Sequence, residues 1–579
     1  MFDRGPYMSY SNCGLPYYVG GEIASRDALF VTNPDRFTGF FRVDVRLNTA
    51  VDGICASDRT VSYIDREKGR STLTYDRLIL ATGTVPIVPP IAGLDGPNIF
   101  YCRTVPDVDA IMQRLSHLLP REMEGGHFLN VKEAGFQALI IGGGYIGLEC
   151  AEQLMQRGFR ITVVEAQDQL MGPLDKEMAH PIELELRDAG VAVILNDGVT
   201  RLEAAGNRSK AILKSGREVT FDIAIIGTGV RPNVELAKSA GLRLGKTDAI
   251  AVDAHQRTSD PSIFAAGDNC EAVFLPTGDV VNIPLAGPAS KQGRVAGQNA
   301  AMDVAAAAPD DARRLRMRGV LGTAIVRVGG VVAGGTGLSE KMARRAGIDV
   351  AVVYVIGPSH AGYYPGAKLM LLKLLYAPGD GRVLGAQAVG QEGVDKRLDV
   401  LATAIQGGMS VEDLETLDLC YAPPFGSAKD VVVTAGFVAA NAYRGTSPGA
   451  SPLTLREELA GREATFSRRR TDAARVRGRL LARGDQHSAR RTARPIGRDP
   501  SRSPCRPAVR DRVPQLRCPA DPAEQRLDRR SQPLRRLRPG QTRLQHDFQI
   551  ERDIDLIDGA RIGHPDLKGG RLLERTRRP

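Results

Sequence analysis

Three groups of residues in this sequence are spaced for chemistry, and the first is built around a thiol. Cys13 stands in Ser9-Tyr10-Ser11-Asn12-Cys13-Gly14-Leu15-Pro16-Tyr17-Tyr18, where small polar residues lead up to the sulfur and Gly14-Leu15-Pro16 allows a sharp turn that can expose it. A lone cysteine is by default a small buried hydrophobe. Nucleophilic work needs the thiolate, and a helix N-terminus or neighbouring dipoles would lower the thiol from its ordinary pKa of about 8.5. The second group is Gly142-Gly143-Gly144-Tyr145-Ile146-Gly147, set between the apolar run Ala138-Leu139-Ile140-Ile141 and a helical stretch through Glu152. Gly142 permits a tight turn, Gly144 lets a pyrophosphate approach the backbone, and Gly147 packs helix on strand. The helix N-terminus adds amide hydrogens and a positive dipole end. A following strand, Ile161-Thr162-Val163-Val164-Glu165, ends in an acid at the distance that reaches an adenosine ribose; Glu165 would repel a 2′-phosphate, so NADH is favoured over NADPH. The third group is at the start, where Phe2-Asp3-Arg4-Gly5 reads as the end of a Rossmann strand whose acid, Asp3, binds a ribose hydroxyl pair. A loop-capping Asp3 is the plainer alternative.

The elements that must position these groups follow from the chain in order. Two further apolar strands end in small-residue turns, at Leu78-Ile79-Leu80-Ala81-Thr82-Gly83 and at Ile223-Ala224-Ile225-Ile226-Gly227-Thr228-Gly229. A third runs through Ile263-Phe264-Ala265-Ala266-Gly267-Asp268. From about 316 the pattern changes to β-branched strands and glycine turns, with helices near 338–346 and 394–407. At 579 residues the chain needs several cores. No apolar run approaches 18 residues and no signal-peptide pattern is present, which points to a cytoplasmic protein without a membrane partner. No Cys-x2-Cys pair occurs among the eight cysteines, so structural zinc is not expected. The net charge of +10 is uneven: residues 446–579 carry 32 Lys+Arg against 17 Asp+Glu, so the tail is +15 and the body −5. The basicity is therefore a property of the tail and does not mark the body as a nucleic-acid binder.

The Cys13 string resembles the redox-cysteine segment of coenzyme A-disulfide reductases, a single-cysteine branch of the FAD-dependent pyridine nucleotide-disulfide oxidoreductases. The two-cysteine branch carries Cys-x4-Cys here; the fifth position after Cys13 is Tyr18, so no intrachain disulfide can form at this site. The resemblance runs in order over residues 2–445. It implies an α/β fold with two Rossmann-like domains, for FAD and NAD, and an α+β dimerisation domain that forms a homodimer. It divides the chain into a discontinuous FAD domain (1–106 and 258–315), an NAD domain (107–257), the dimerisation domain (316–445) and a tail (446–579). Ala81-Thr82-Gly83 and Gly229 resemble family turns, which gives Thr82, Gly83 and Gly229 cofactor-binding roles. Gly267 and Asp268 match the fingerprint that delivers an Asp to the ribityl hydroxyls. His360-Ala361-Gly362-Tyr363-Tyr364-Pro365 and Leu419-Cys420-Tyr421-Ala422-Pro423-Pro424-Phe425-Gly426-Ser427-Ala428-Lys429-Asp430 resemble the family's tyrosine strings. Tyr421 and Tyr363 would then assist catalysis across the dimer. Ser9, Asn12, Lys429 and, more weakly, Ser290 would bind coenzyme A disulfide, or a related persulfide or polysulfide.

Two departures from the family pattern qualify this. The first strand and glycine turn that should precede Asp3 by some 20 residues are not in the sequence, which reads as an N-terminal truncation. The tail is about a quarter Arg, with Lys only at Lys568, few aromatics and frequent Pro, and is expected to be mostly disordered. Read from the second base of each codon, Gly484 to Thr492 allows Ala-Ile-Asn-Ile-Pro-Leu-Asp-Glu-Leu, and Val509 to Gln515 allows Cys-x-Ile-Gly-Tyr-Arg-Ser. Both resemble rhodanese segments, so 467–579 reads as a frameshifted rhodanese domain. Other functional readings remain: an NADH oxidase or peroxidase cycling Cys13 through a sulfenate, or an inactive remnant. The family's oxidases carry Ser-Cys-Gly-Ile-Ala where this chain has Asn-Cys-Gly-Leu-Pro, which favours thiol substrates.

Overall fold

The computed structural model describes residues 1–447 except 67–68, 119–134, 207, 307 and 309, together with residues 449 and 455. The readings made on 484–492 and 509–515, and with them the rhodanese expectation, lie outside the described residues.

The apolar run Gln137–Ile141 is the middle of a five-stranded parallel sheet, in the order Ile99–Tyr101, Ile223–Ile226, Gln137–Ile141, Arg160–Val164, Ala192–Ile194. Alternation along a strand sends successive side chains to opposite faces. Ala138 and Ile140 accordingly join the core beneath the helices, while Leu139 and Ile141 join a second core under the antiparallel strands Val199–Ala205, Arg208–Leu213 and Glu218–Phe221. Both faces are covered, which is why the strand carries no polar residue after Gln137.

The flavin-type half is built from a parallel pair, Leu78–Leu80 with Ile263–Ala265, an antiparallel meander (Thr49–Cys55, Thr60–Asp65, Gly69–Thr74) and a bridge between Phe2 and Arg46. The chain crosses between the halves on two short antiparallel strands, Thr84–Pro86 and Val230–Pro232. These crossings correct the boundaries expected at 106/107 and 257/258. Ile99–Tyr101 already pairs with Ala224–Ile226, so it belongs to the dinucleotide sheet. On the return, Val234, Ala237, Leu242 and Ile250 pack with Leu80 and Ile263, in the flavin-type core. Short apolar strands carry no label for the sheet they will join; pairing decides it.

The last third is a five-stranded antiparallel sheet in the order Ala324–Val328, Val331–Gly337, Val383–Gly390, Leu369–Tyr376, Ala351–Pro358. Helices Val394–Gln406 and Val431–Tyr443 pack on it, and Glu340–Ala346 follows the second strand. A buried charge cluster ties this domain to the dinucleotide half. Lys373, fully buried, lies 2.8 Å from Asp175, 2.5 Å from Glu177 and 2.7 Å from Glu340. Gln387 donates to the Asp175 carboxylate at 2.7 Å and accepts from its amide at 2.8 Å. The three carboxylates thus face an ammonium, which occupies the place a metal ion would take.

Candidate active site

The Cys13 segment is pinned before its helix begins. Ser11 N donates to Leu29 O at 2.8 Å, Val31 N to Ser9 O at 3.3 Å, and Tyr10 bridges Phe30. Ser11 then turns the chain: its hydroxyl accepts from Gly14 N at 3.2 Å and opens the 3-10 turn Asn12–Gly14, which continues into the cysteine helix Leu15–Gly20 with Pro16 in the first turn. Cys13 therefore sits at a helix N-terminus with an exposed thiol. Its acidity runs against the expectation. Partial desolvation, then the negative charges of Glu149 and Asp268, push the thiol up, and Arg103 only opposes them. One short helix terminus does not outweigh two carboxylates and a partly dry wall.

Each glycine of the second group has a distinct surrounding. Gly142 adopts φ +106°, and a Cβ there would lie 2.4 Å from Gly227 O. A Cβ on Gly147 would lie 2.1 Å from Gly142 O. Gly144 caps the dinucleotide helix Tyr145–Gln156, and among the described residues nothing lies within 4 Å of an added Cβ, so open space lies before the helix N-terminus. Glu165 is turned back onto this loop: its carboxylate accepts from Gly143 N at 2.7 Å and from Gln167 N at 2.8 Å.

Asp3, Asn12, Thr82 and Arg103 line a cleft of about 410 Å³ beside the cysteine helix. Asp3 accepts from Gly5 N at 2.7 Å. Arg103 donates to Thr84 at 2.9 Å and lies 3.9 Å from Asp268, while its buried Nε has no hydrogen-bond partner among the described residues. Burial raises the Asp268 carboxyl, with Arg103 opposing. Gly83 and Gly267 both take positive φ, at +63° and +90°, and Gly267 N donates to Gln292 at 3.0 Å. The Thr82 hydroxyl is spent on the scaffold, donating to Asn233 O at 2.6 Å and accepting from Asn269 at 3.0 Å. Gly229, φ +98°, lies at the crossover, where its carbonyl accepts from Ile87 N at 3.0 Å and an added Cβ would stand 3.5 Å from the Ile87 side chain. This set fits a flavin dinucleotide: an acid for a ribose, an acid on a glycine turn for the ribityl chain, and an unpartnered guanidinium nitrogen in the wall.

The two tyrosine strings, 58 residues apart, meet. Tyr363 and Tyr421 share a hydrogen bond of 2.9 Å on the exposed face of the last domain. Arg397 makes this possible. Fully buried, it donates to Ser359 O at 2.7 Å and to Asp430 at 2.8 Å, and so ties the residue before the first string and the last residue of the second to one helix. Asp430 also caps Val431–Tyr443, leaving Lys429 exposed at the preceding position. Ser290 is exposed on the helix Ala286–Val304.

Sequence reasoning missed Tyr17, Arg103, Glu149 and Arg397. Glu149 lies one turn past Tyr145 on the dinucleotide helix, and burial pushes its carboxyl up to about 7. The i,i+4 spacing from Tyr145 was visible, but the protein wall that dries Glu149 was not.

A model of the pyridine nucleotide-disulphide oxidoreductase family matches residues 1–293, and one of the dimerisation domain of such enzymes matches 324–431. The chain is 33% identical over 419 residues to an NADH oxidase of Methanocaldococcus jannaschii, covering 72% of this chain and 87% of that one. It is 33% identical over 434 residues to an NAD(P)H sulfur oxidoreductase (CoA-dependent) of Pyrococcus abyssi (75% and 90% covered). To a coenzyme A disulfide reductase of Staphylococcus aureus it is 29% identical over 441 residues (76% and 93%). The crystal structure of reduced CoADR-RHD from Bacillus anthracis superposes with a TM-score of 0.70 at 39% identity, covering 77% of this chain and 76% of that one.

Proposed function

The chain belongs to the FAD-dependent pyridine nucleotide-disulphide oxidoreductase family, and on that premise we propose that it reduces coenzyme A disulfide, or the related persulfide, with NADH through the single redox cysteine Cys13. One observation carries the reading: an exposed thiol at a helix N-terminus lies in the electrostatic field of Arg103, which lines the flavin-type cleft, and of Asp268, 3.9 Å from Arg103, with Tyr18 where a second cysteine would stand. FAD, when bound, supplies two-electron transfer from the nicotinamide to sulfur. Asp3, Gly83, Gly267 and Asp268 would hold it, and Gly142, Gly144, Gly147 and Glu165 would hold NADH.

The resting thiol is in mixed disulfide with coenzyme A. Two electrons break that S–S bond, releasing one coenzyme A and leaving the Cys13 thiolate. The thiolate attacks an incoming disulfide, forms the new Cys13–S bond and expels the second coenzyme A. Two sulfurs leave as thiols for each hydride, so one solvent proton is consumed. Tyr421 and Tyr363, presented by the other copy of a homodimer, donate to the leaving thiolate. Their mutual hydrogen bond raises the Tyr363 hydroxyl, which favours its protonated, donating form. Ser9 and Asn12 hold the pantetheine arm near the sulfur, and Lys429, with Ser290, the phosphates. We place this activity in the cytoplasm, where unpaired cysteines persist; no helix among the described residues is long and apolar enough to cross a membrane.

The similarity to an NADH oxidase supports a second reading, in which Cys13 reduces peroxide or oxygen through a sulfenate. Replacing Cys13 by Ser tests the first. NADH should still reduce the flavin, while disulfide-dependent NADH oxidation is lost; undiminished turnover of coenzyme A disulfide by the variant would refute Cys13. Wild-type NADH consumption that tracks oxygen and ignores added disulfide would select the oxidase reading.

A further inference from the structure

One guanidinium joins three elements that lie far apart in the chain. Arg327, near the end of the strand Ala324–Val328, donates through Nε to Glu152 Oε1 at 3.2 Å and through Nη2 to Glu22 Oε1, and it lies over the Tyr17 ring, 5.9 Å from the centroid. Tyr17 is on the cysteine helix, Glu22 in the turn just after it, and Glu152 on the dinucleotide helix. We propose that Arg327 is a positioning residue for the redox thiol, fixing the far end of the cysteine helix against the domain that carries Tyr363 and Tyr421. This rests on the reading of Cys13 as the redox cysteine, served by tyrosines of the other copy.

The cysteine helix needs such a hold because it has only six residues. A helix of that length has little stability of its own, so its direction is set by what grips its two ends. At the Cys13 end the grip is the backbone pairing of Ser11 with Leu29 and of Val31 with Ser9. At the far end Arg157 donates to Val19 O, and Glu22 Oε1 accepts from Gln153 and from Gln156, each at 3.2 Å. Gly20 lets the two helices meet, since a Cβ there would lie 1.6 Å from Gln153 Oε1. Gln153, Gln156 and Arg157 all belong to the dinucleotide helix and its C-cap. Arg327 is the residue that brings the last domain into the same grip.

Arg327 is itself well anchored. It leads into the two-residue turn Gly329-Gly330, whose amides donate to Glu152 Oε1 at 3.2 Å and to Glu185 Oε1, on the helix Lys176–Asp188, at 2.6 Å. Glu152 is 2% exposed, and its other carboxylate oxygen has no hydrogen-bond partner among the described residues, so the guanidinium offsets a buried charge. Two nitrogens of the planar fork engage two carboxylates, a geometry that a lysine ammonium does not reproduce. Docking of the last domain as a whole has a separate tie, because Lys373 joins Asp175 and Glu177 to Glu340. Arg327 therefore governs the helix rather than the domain. In a two-fold dimer, the tyrosines of one copy meet the thiol of the other in register only if each copy holds its own cysteine helix at a fixed place relative to its last domain.

Hydrogen–deuterium exchange on the full chain tests the hold without reference to activity. The amides of Gly21 and Ile23 both donate to Tyr17 O and report on the far end of the helix. In Arg327→Met a peptide covering residues 17–23 should exchange roughly two- to fivefold faster, the worth of a partly exposed ion pair, while the central strand Gln137–Ile141 keeps its wild-type rate. On the flavin-loaded protein, kcat for coenzyme A disulfide should fall about threefold or more, the cost of a misplaced reacting group, with KM near wild type and NADH reducing the flavin at the wild-type rate. Glu22→Gln leaves the buried Glu152 with its cation, so it should give the same results even if Arg327→Met does not fold. Unchanged exchange over 17–23 in Glu22→Gln overturns the proposal. So does a loss of flavin reduction equal to the loss of disulfide turnover, which general loosening of the fold would give. If Cys13→Ser still turns over disulfide, the functional reading fails instead, and the exchange rates alone decide whether Arg327 holds the helix.

Discussion

Gly144 and Gly147 lie three residues apart in one turn, yet a methyl group should have opposite consequences at the two. On Gly147 the added carbon would stand 2.1 Å from Gly142 O and 3.2 Å from the Ile140 side chain. The carbonyl is backbone in a turn with Gly142 at φ +106°, so it cannot rotate aside as a side chain would. Overpacking of this kind costs about 1–3 kcal/mol, and each kcal/mol moves Tm by about 2–4 °C in a domain of this class. Gly147→Ala should therefore lower the transition of the dinucleotide half by roughly 2–12 °C. Gly144 has φ −86° and ψ −171°, which any residue adopts, and nothing lies within 4 Å of its would-be Cβ. Gly144→Ala should unfold with wild type and yet bind NADH at least tenfold more weakly, a loss of about 1.4 kcal/mol, because the methyl occupies the space a pyrophosphate must enter. Differential scanning calorimetry gives the first quantity and NADH titration by fluorescence the second. The reasoning fails if Gly144→Ala keeps wild-type affinity, or if Gly147→Ala melts with wild type.

Three further outcomes are expected. Lys373→Met strips the only ammonium in contact with Asp175, Glu177 and Glu340 among the described residues, and should cost about 3–5 kcal/mol in urea unfolding at pH 7. Burial alone would raise Asp175, but Lys373 more than offsets it and holds the carboxyl below its ordinary range. A depressed carboxyl stabilises the fold above its unfolded pKa and loses that contribution as pH falls through the folded value. Wild type should therefore weaken on acidification below about pH 4, and Lys373→Met should show less of that acid limb. Glu165→Ala should narrow the preference for NADH over NADPH in steady-state kinetics; a wild-type preference for NADPH would refute the role given to Glu165. Lys429→Ala should raise KM for coenzyme A disulfide about ten- to a hundredfold, the worth of a charge-assisted contact, and leave pantethine, which lacks the nucleotide phosphates, almost unchanged.

What the sequence determined by itself is what depends on near neighbours in the chain. The turn from Gly142 to Gly147 and the acid at Glu165 were legible because a phosphate turn demands small residues, a buried strand before it and a helix after it, all within some 25 residues. The strand-to-glycine turns at Gly83 and Gly267 were legible for the same reason, and both glycines indeed take positive φ. Tertiary structure alone decided the rest. The domain crossings moved because Ile99–Tyr101 and the residues Val234, Ala237, Leu242 and Ile250 are apolar enough for either core, and only pairing and packing choose. Tyr363 meets Tyr421 through Arg397, whose burial against Asp430 no spacing foretells. The Cys13 thiol went up where a helix terminus suggested down, and Glu149 became an acid that titrates near neutral pH. The first follows from desolvation and from charges more than a hundred residues away, the second chiefly from desolvation, quantities that exist only once the chain has folded.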